Sequence, residues 1–414
     1  MSATTTATDW AETYTRLAHR IMADAPRAHT ALTGTSACVD GIWGIDARRM
    51  DLLVRAVSAP PNDEEGARGR DVLTEVLGRI GAGRGGEMVR HWPGGPPWLI
   101  ALLGRPDRCQ IGGTGPQASW ALATVGAPSV LALADRSAEQ LAVVDPRTGL
   151  CEADTVVPAG AVTPSGSPSK LLHCVLEFTA GTRCANGTVG RSTRIILRFG
   201  DEPIERDEAF AALTPRLPGV RAALLSGLNG PADGDREGRD WVTALGRAWA
   251  EAGIRTIHHE LAEFPSTRRL REALDTGVAT SVGLSLSELH TLSERRNDPR
   301  LLARDAAERS GARRVVVHAD DWALAVHRDQ EIDPALSLLG GSLLAGARAR
   351  AGRPVADLVP PPDAAYTADR PADGPLGDGW WATSVPAPHL RRPAATIGLG
   401  DTFVAGLLLA ESLP

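Results

Sequence analysis

Thr396-Ile397-Gly398-Leu399-Gly400-Asp401-Thr402, followed by the apolar run of residues 403–411, is the stretch on which the fold of this chain turns. The glycines on either side of Leu399 let a backbone approach a ligand closely, and the unpaired amides that open a helix attract phosphate. A carboxylate among those amides can accept a proton from an attacking hydroxyl, while the amides stabilise charge on a group in transfer. The bare Gly-x-Gly-Asp pattern is equally compatible with Asp401 capping a helix, so its meaning depends on the rest of the chain.

Upstream, residues 222–225, 256–258, 278–284 and 314–318 are short aliphatic runs separated by helical patterns such as residues 239–253. That alternation predicts an α/β protein with a mostly parallel, doubly wound sheet flanked by helices. Apolar spacing predicts an N-terminal helix over residues 10–22 and another helix over 71–80. Residues 31–45 predict one strand with Asp40 at its end, and residues 98–103 predict a second. The latter leads through Cys109-Gln110-Ile111 into Gly112-Gly113-Thr114-Gly115 and a helix over 116–125. Residues 171–178 and 194–199 predict a long hairpin that need not join the main sheet. Residues 360–378, rich in Pro, Asp, Ala and Gly, predict an exposed loop before the final helix.

Composition narrows the function. The 414 residues can bury a large core, and the formal charge of −6 comes with no basic run. Nucleic acid and anionic membranes are therefore not expected partners. No stretch approaches the roughly 20 apolar residues of a membrane span, and no secretory leader pattern precedes the first helix. The five cysteines Cys38, Cys109, Cys151, Cys174 and Cys184 are scattered with no Cys-x-x-Cys pair, as expected of reduced thiols in a cytoplasmic protein. Lys170 is the only lysine, which excludes P-loop and protein-kinase mechanisms, since each needs a lysine inside a phosphate-binding motif.

Several residue sets suit hydroxyl groups, phosphate or a metal ion. Asp40, in Cys38-Val39-Asp40-Gly41, can accept two hydrogen bonds from neighbouring hydroxyls. Glu87 lies in the glycine-rich stretch Gly83-Arg84-Gly85-Gly86-Glu87-Met88. In His258-His259-Glu260, residues two apart share a face if the segment is extended, so His258 and Glu260 point together, and a carboxylate there can organise water around Mg²⁺. Zinc is the alternative ion, but no third ligand lies at suitable spacing. Ser285 and Glu288 share a helical face by their i, i+3 spacing.

In this order, the motifs resemble those of the ADP-dependent sugar kinases, a branch of the ribokinase-like fold whose C-terminal signature is Gly-x-Gly-Asp opening a helix. The resemblance runs through most of the chain. It implies one catalytic unit: a large domain of approximately residues 1–40, 109–144 and 213–414, and a smaller α/β lid of approximately 41–108 and 145–212. Asp401 would be the general base, and Gly398, Leu399 and Gly400 would bind the nucleotide with Arg194, Asn229 and His318. Asp40, Glu87, Gly112, Gly113, Gln117 and His173 would bind the sugar, and Glu260, Glu288 and His258 would support Mg²⁺. Arg191-Ser192-Thr193-Arg194-Ile195 is similar to the family's basic strand, and Ser226-Gly227-Leu228-Asn229 to its turn at the sheet's carboxyl edge. Cys38, Thr114 and Ser285 depart from the pattern, each standing where the family has Asn.

The implied reaction is transfer of the terminal phosphoryl group of ADP to the 6-hydroxyl of a glucose-like hexose. The departures keep two alternatives open: an ATP-using kinase of another sugar or a nucleoside, and a sugar-binding homologue without catalysis. A monomer or small homo-oligomer is expected.

Overall fold

The four aliphatic runs form adjacent parallel strands, Val220–Leu225, Thr256–Glu260, Ser281–Ser285 and Arg314–His318, in an 11-stranded sheet. The computed structural model describes residues 9–414 except 185–186, 191, 201, 231–234, 263, 265, 276, 293–297 and 329–330. Register pairs Leu224 with His258, His258 with Ser281, and Ser285 with His318. The chemistry-bearing residues thus come together at the carboxyl ends of neighbouring strands, where open α/β sheets bind ligands.

Helices cover both faces, which is why these strands read as unbroken apolar runs. Arg236–Glu251 and Pro299–Ser310 bury Val242, Leu245, Trp249 and Leu302 on one face. On the other face Trp10–Asp24, Thr114–Thr124, Pro334–Ala351 and Leu399–Ser412 bury Tyr14, Leu122, Leu344 and Leu407. Each aliphatic side chain so buried contributes roughly 1.5–3 kcal/mol. The last two helices approach closely because Gly340 and Gly406 oppose one another; a Cβ on Gly340 would lie 2.7 Å from the Gly406 carbonyl oxygen. Among the described residues, no helix is long and apolar enough to cross a membrane.

A second sheet of five strands lies in the order Gly86–Val89, Thr193–Arg198, His173–Phe178, Cys38–Ile45 and Arg108–Gly112. Its core includes Trp43, Leu73, Val76, Leu99, Leu176 and Ile195. The paired strands His173–Phe178 and Thr193–Arg198 are antiparallel and stand outside the large sheet.

Four local expectations are corrected. Residues 31–45 form two strands, Thr30–Thr33 in the large sheet and Cys38–Ile45 in the small one, so Asp40 belongs to the small sheet. Residues 98–103 lie in the helix Gly95–Leu103, which Pro96 opens; proline suits the first turn of a helix, and a short apolar run does not distinguish helix from strand. Strands Gly149–Glu152 and Thr155–Pro158 extend the large sheet, although residues 145–212 were assigned to the lid. Residues 374–377 are a strand paired with Trp380–Pro386. Asp378 and Gly379, with φ of 51° and 78°, join them in the left-handed two-residue turn that matches strand twist.

Candidate active site

The Gly-x-Gly-Asp stretch opens the helix Leu399–Ser412 with Gly398 as its N-cap at φ 72°. That conformation favours glycine, and the space is closed as well, since a Cβ on Gly398 would run into the Arg348 guanidinium. Asp401 sits in the first turn, hydrogen-bonded to the Thr114 side chain. Burial pushes its carboxyl above the ordinary value, against the opposing pull of Arg348, the Thr114 hydrogen bond and Arg194. A carboxylate raised in this way is a better proton acceptor than a solvated one.

Arg348 carries much of this arrangement and was not singled out in the sequence. It is fully buried on the helix Pro334–Ala351, donating to Gln117 Oε1 at 2.7 Å and Thr402 Oγ1 at 2.9 Å. Its guanidinium also lies 5.5 Å from the Trp120 ring centre. Burial lowers its pKa to about 10, and Asp401 and Asp40 oppose the drop. Gln117, expected to contact a sugar, instead bridges Arg348 and the Ile111 carbonyl oxygen, to which it donates. An arginine within an Ala/Gly/Leu-rich helical stretch was the available signal.

The small sheet supplies the opposite wall. Asp40 and His173 are paired in register on neighbouring strands, with His173 Nδ1 3.7 Å from Asp40 Oδ1. Burial raises Asp40 to about 6 against the pull of His173; Asp401 is among the groups pushing it upward, which ties the two sheets' carboxylates into one electrostatic unit. His173 Nε2 bonds Glu202. Burial opposes charge on the imidazole, but Glu202, Asp40 and Glu87 outweigh it and raise its pKa. Burial likewise opposes charge on Glu202, yet His173, Arg198 and Lys170 hold it down at about 2. Glu202 lies in the loop after the strand Thr193–Arg198 and carried no motif to mark it.

Glu87 accepts from Arg198 at 2.9 Å and from Asn229 Nδ2 at 3.1 Å. Asn229, expected on the nucleotide, therefore links the large sheet's turn to the small sheet's carboxylate. Arg198 also donates to the Gly230 carbonyl oxygen at 3.1 Å, reinforcing that junction. Gly112 pairs with Cys38, and Gly113 caps the helix Thr114–Thr124. Arg194 acts electrostatically on Asp401, whereas Arg191 lies outside the described residues.

The residues expected to support Mg²⁺ divide into two groups. Glu260 accepts from both His258 Nε2 and His318 Nε2 at 3.0 Å. Burial would raise its carboxyl, but these two hydrogen bonds hold it below the ordinary range. His258 Nδ1 meets Ser281 Oγ at 2.9 Å and its Nε2 meets Glu260, so both ring nitrogens are engaged and the ring orients Glu260. Glu288 forms a capping box with Ser285, and burial raises it to about 7. The sequence separately recognised Ser285 and Glu288 but not this reciprocal bond. Oxygen-bearing, anionic Glu260 beside Glu288 fits Mg²⁺, which keeps several waters and binds through few carboxylates plus phosphate. His318 also packs on Phe403, with ring centres 5.4 Å apart, next to the Gly398–Asp401 turn.

The model of the ADP-specific phosphofructokinase/glucokinase conserved region matches residues 31–325. The ADP-dependent glucose/glucosamine kinase of Pyrococcus furiosus is 24% identical over 284 residues, 60% of this chain and 62% of that protein. The chain thus aligns with less than two thirds of that relative's length. A solved ADP-dependent kinase in complex with fructose-6-phosphate and ADPβS has a TM-score of 0.78 at 18% identity, covering 98% of each chain. A phosphofructokinase from Pyrococcus horikoshii OT3, solved with AMP, has a TM-score of 0.69 at 16% identity, covering 92% of this chain and 97% of the other. The architecture is ribokinase-like, and with the family model spanning most of its length, the chain belongs to the ADP-specific phosphofructokinase/glucokinase family.

Proposed function

We propose that this protein transfers the terminal phosphoryl group of ADP to the 6-hydroxyl of a glucose-like hexose. The observation that carries the reading is Asp401, a carboxylate with raised pKa in the first turn of a helix, under the influence of Arg348 and Arg194. Asp401 accepts the hydroxyl proton as the oxygen attacks phosphorus. The amides from Gly398 to Asp401, reinforced by Arg194, receive the charge that accumulates on the transferring group. When bound near Glu260 and Glu288, Mg²⁺ supplies positive charge that neutralises the phosphates. His258 and His318 keep Glu260 ionised and oriented.

The donor assignment is supported by family membership. For the acceptor, the curated relative is a glucose/glucosamine kinase, while the solved neighbours include phosphofructokinases. Asp40, Glu87 and Glu202 favour an uncharged hexose: Arg198 and His173 on this wall are already paired with Glu87 and Glu202, so the carboxylates oppose an additional phosphate dianion. Closure of the small sheet over the large one would exclude water and suppress hydrolysis of the donor. A product assay crossing ADP and ATP with glucose, glucosamine and fructose 6-phosphate tests the whole reading. Phosphorylated glucose or glucosamine formed from ADP supports it; exclusive use of ATP or of fructose 6-phosphate contradicts it.

A further inference from the structure

Cys38, Asp40 and His173 converge on the small sheet with their donor atoms mutually close. Cys38 Sγ is 3.2 Å from His173 Nδ1 and 3.5 Å from Asp40 Oδ1, and the third edge is 3.7 Å. All three residues are buried, and their donor atoms all lie within 4.8 Å of one another. For comparison, zinc bonds of about 2.3 Å to sulfur and about 2.0–2.2 Å to nitrogen and oxygen give tetrahedral edges of about 3.3–3.6 Å. The triangle already has the size of one face of a zinc tetrahedron.

Its surroundings are those of a metal-bound histidine. Glu202 takes the other ring nitrogen, Nε2, and a carboxylate there fixes the tautomer that directs the Nδ1 lone pair toward a metal. The ligand set combines one thiol, one imidazole and one carboxylate, and sulfur selects a thiophilic ion such as Zn²⁺ over Mg²⁺. The position is distinct from the Glu260–Glu288 region expected to support Mg²⁺, where no sulfur is among the proposed ligands.

We propose that Cys38, Asp40 and His173 form a zinc-binding site, with Glu202 as the supporting carboxylate and solvent as the fourth ligand. On binding, Cys38 Sγ–H and any proton on His173 Nδ1 are released to solvent, and bonds from sulfur, nitrogen and the Asp40 oxygen to zinc replace them. No oxidation state changes. Because the same ion would occupy Asp40 and His173, zinc and hexose compete if the sugar assignment above holds. The metal site itself does not depend on that assignment.

The test is direct metal binding to the purified full-length protein, without activity as the readout. Zn²⁺ titrated by calorimetry should bind at one site, and Cys38→Ser should weaken binding by more than about 100-fold, since the loss of even a supporting partner costs 10–100-fold. Cys174→Ser, on the adjoining residue, should leave the affinity unchanged. Co²⁺ added to the native protein should produce a near-ultraviolet thiolate-to-cobalt charge-transfer band, which does not depend on a variant folding. Absence of zinc binding, an absent cobalt–thiolate band, or equal zinc affinity in Cys38→Ser would overturn the proposal.

Discussion

Arg348 donates to Gln117 Oε1 at 2.7 Å, joining the helix before the Gly398–Asp401 turn to the helix after the Gly112-Gly113 turn. The same NH1 group donates to Thr402, one residue beyond Asp401. One buried cation, bonded to a residue 231 positions away, therefore bridges the two glycine-rich turns. Its charge also favours the ionised form of Asp401.

Arg348→Met should destabilise the fold by roughly 1–3 kcal/mol, because it leaves the buried Gln117 carbonyl without its partner. Urea denaturation monitored against the unaltered protein measures this. Unchanged stability would mean that the Arg348 bridge does not hold the two turns together.

The acidic limb of the rate profile should fall above the ordinary carboxylate range. The proposed base, Asp401, must be ionised to take the proton, so activity should drop as pH falls through its raised pKa. Thr114→Val removes a hydrogen bond that favours the carboxylate, and should move this limb to still higher pH. Measuring kcat against pH for both proteins tests the sign; a shift toward lower pH would contradict the assignment.

Gly398→Ala should be poorly tolerated. The left-handed conformation costs a residue with a side chain about 1–2 kcal/mol, and the added carbon meets Arg348 as well. A lowered melting temperature together with weakened ADP binding is expected. Native stability in this variant would show that the turn can relax away from Arg348.

How much of this was legible in the sequence depends on how local the signal was. The parallel strands were readable because Arg314–His318 and its neighbours are short apolar runs between helical patterns. The Gly398–Asp401 turn was readable because glycine spacing and the following helix lie together in sequence. Arg348, Arg198 and Glu202 were not, because their partners lie far away along the chain: Arg348 with Gln117, Arg198 with Glu87, and Glu202 with His173. The split of residues 31–45 between two sheets was also hidden, since both halves have strand character and only tertiary pairing separates them. The Asp378-Gly379 turn, by contrast, carries a hairpin signal at the end of the Pro/Asp/Ala/Gly-rich segment of residues 360–378.

Glu87→Ala should weaken selection for an uncharged acceptor. The substitution removes a carboxylate from the wall and leaves the buried Arg198 without its 2.9 Å partner, which favours an anionic sugar. The ratio of kcat/KM for glucose to that for fructose 6-phosphate should fall, by about 10-fold for each 1.4 kcal/mol of lost discrimination. An unchanged ratio would remove Glu87 from acceptor choice.

The most direct test of the central claim is the rate of ADP-dependent phosphorylation of glucose by Asp401→Asn. Asparagine keeps the size of the side chain but cannot take the hydroxyl proton, so a loss on the order of 10²-fold or more in kcat is expected, with sugar and ADP binding retained by calorimetry. Near-normal turnover in a folded, ligand-binding variant would contradict Asp401 as the base.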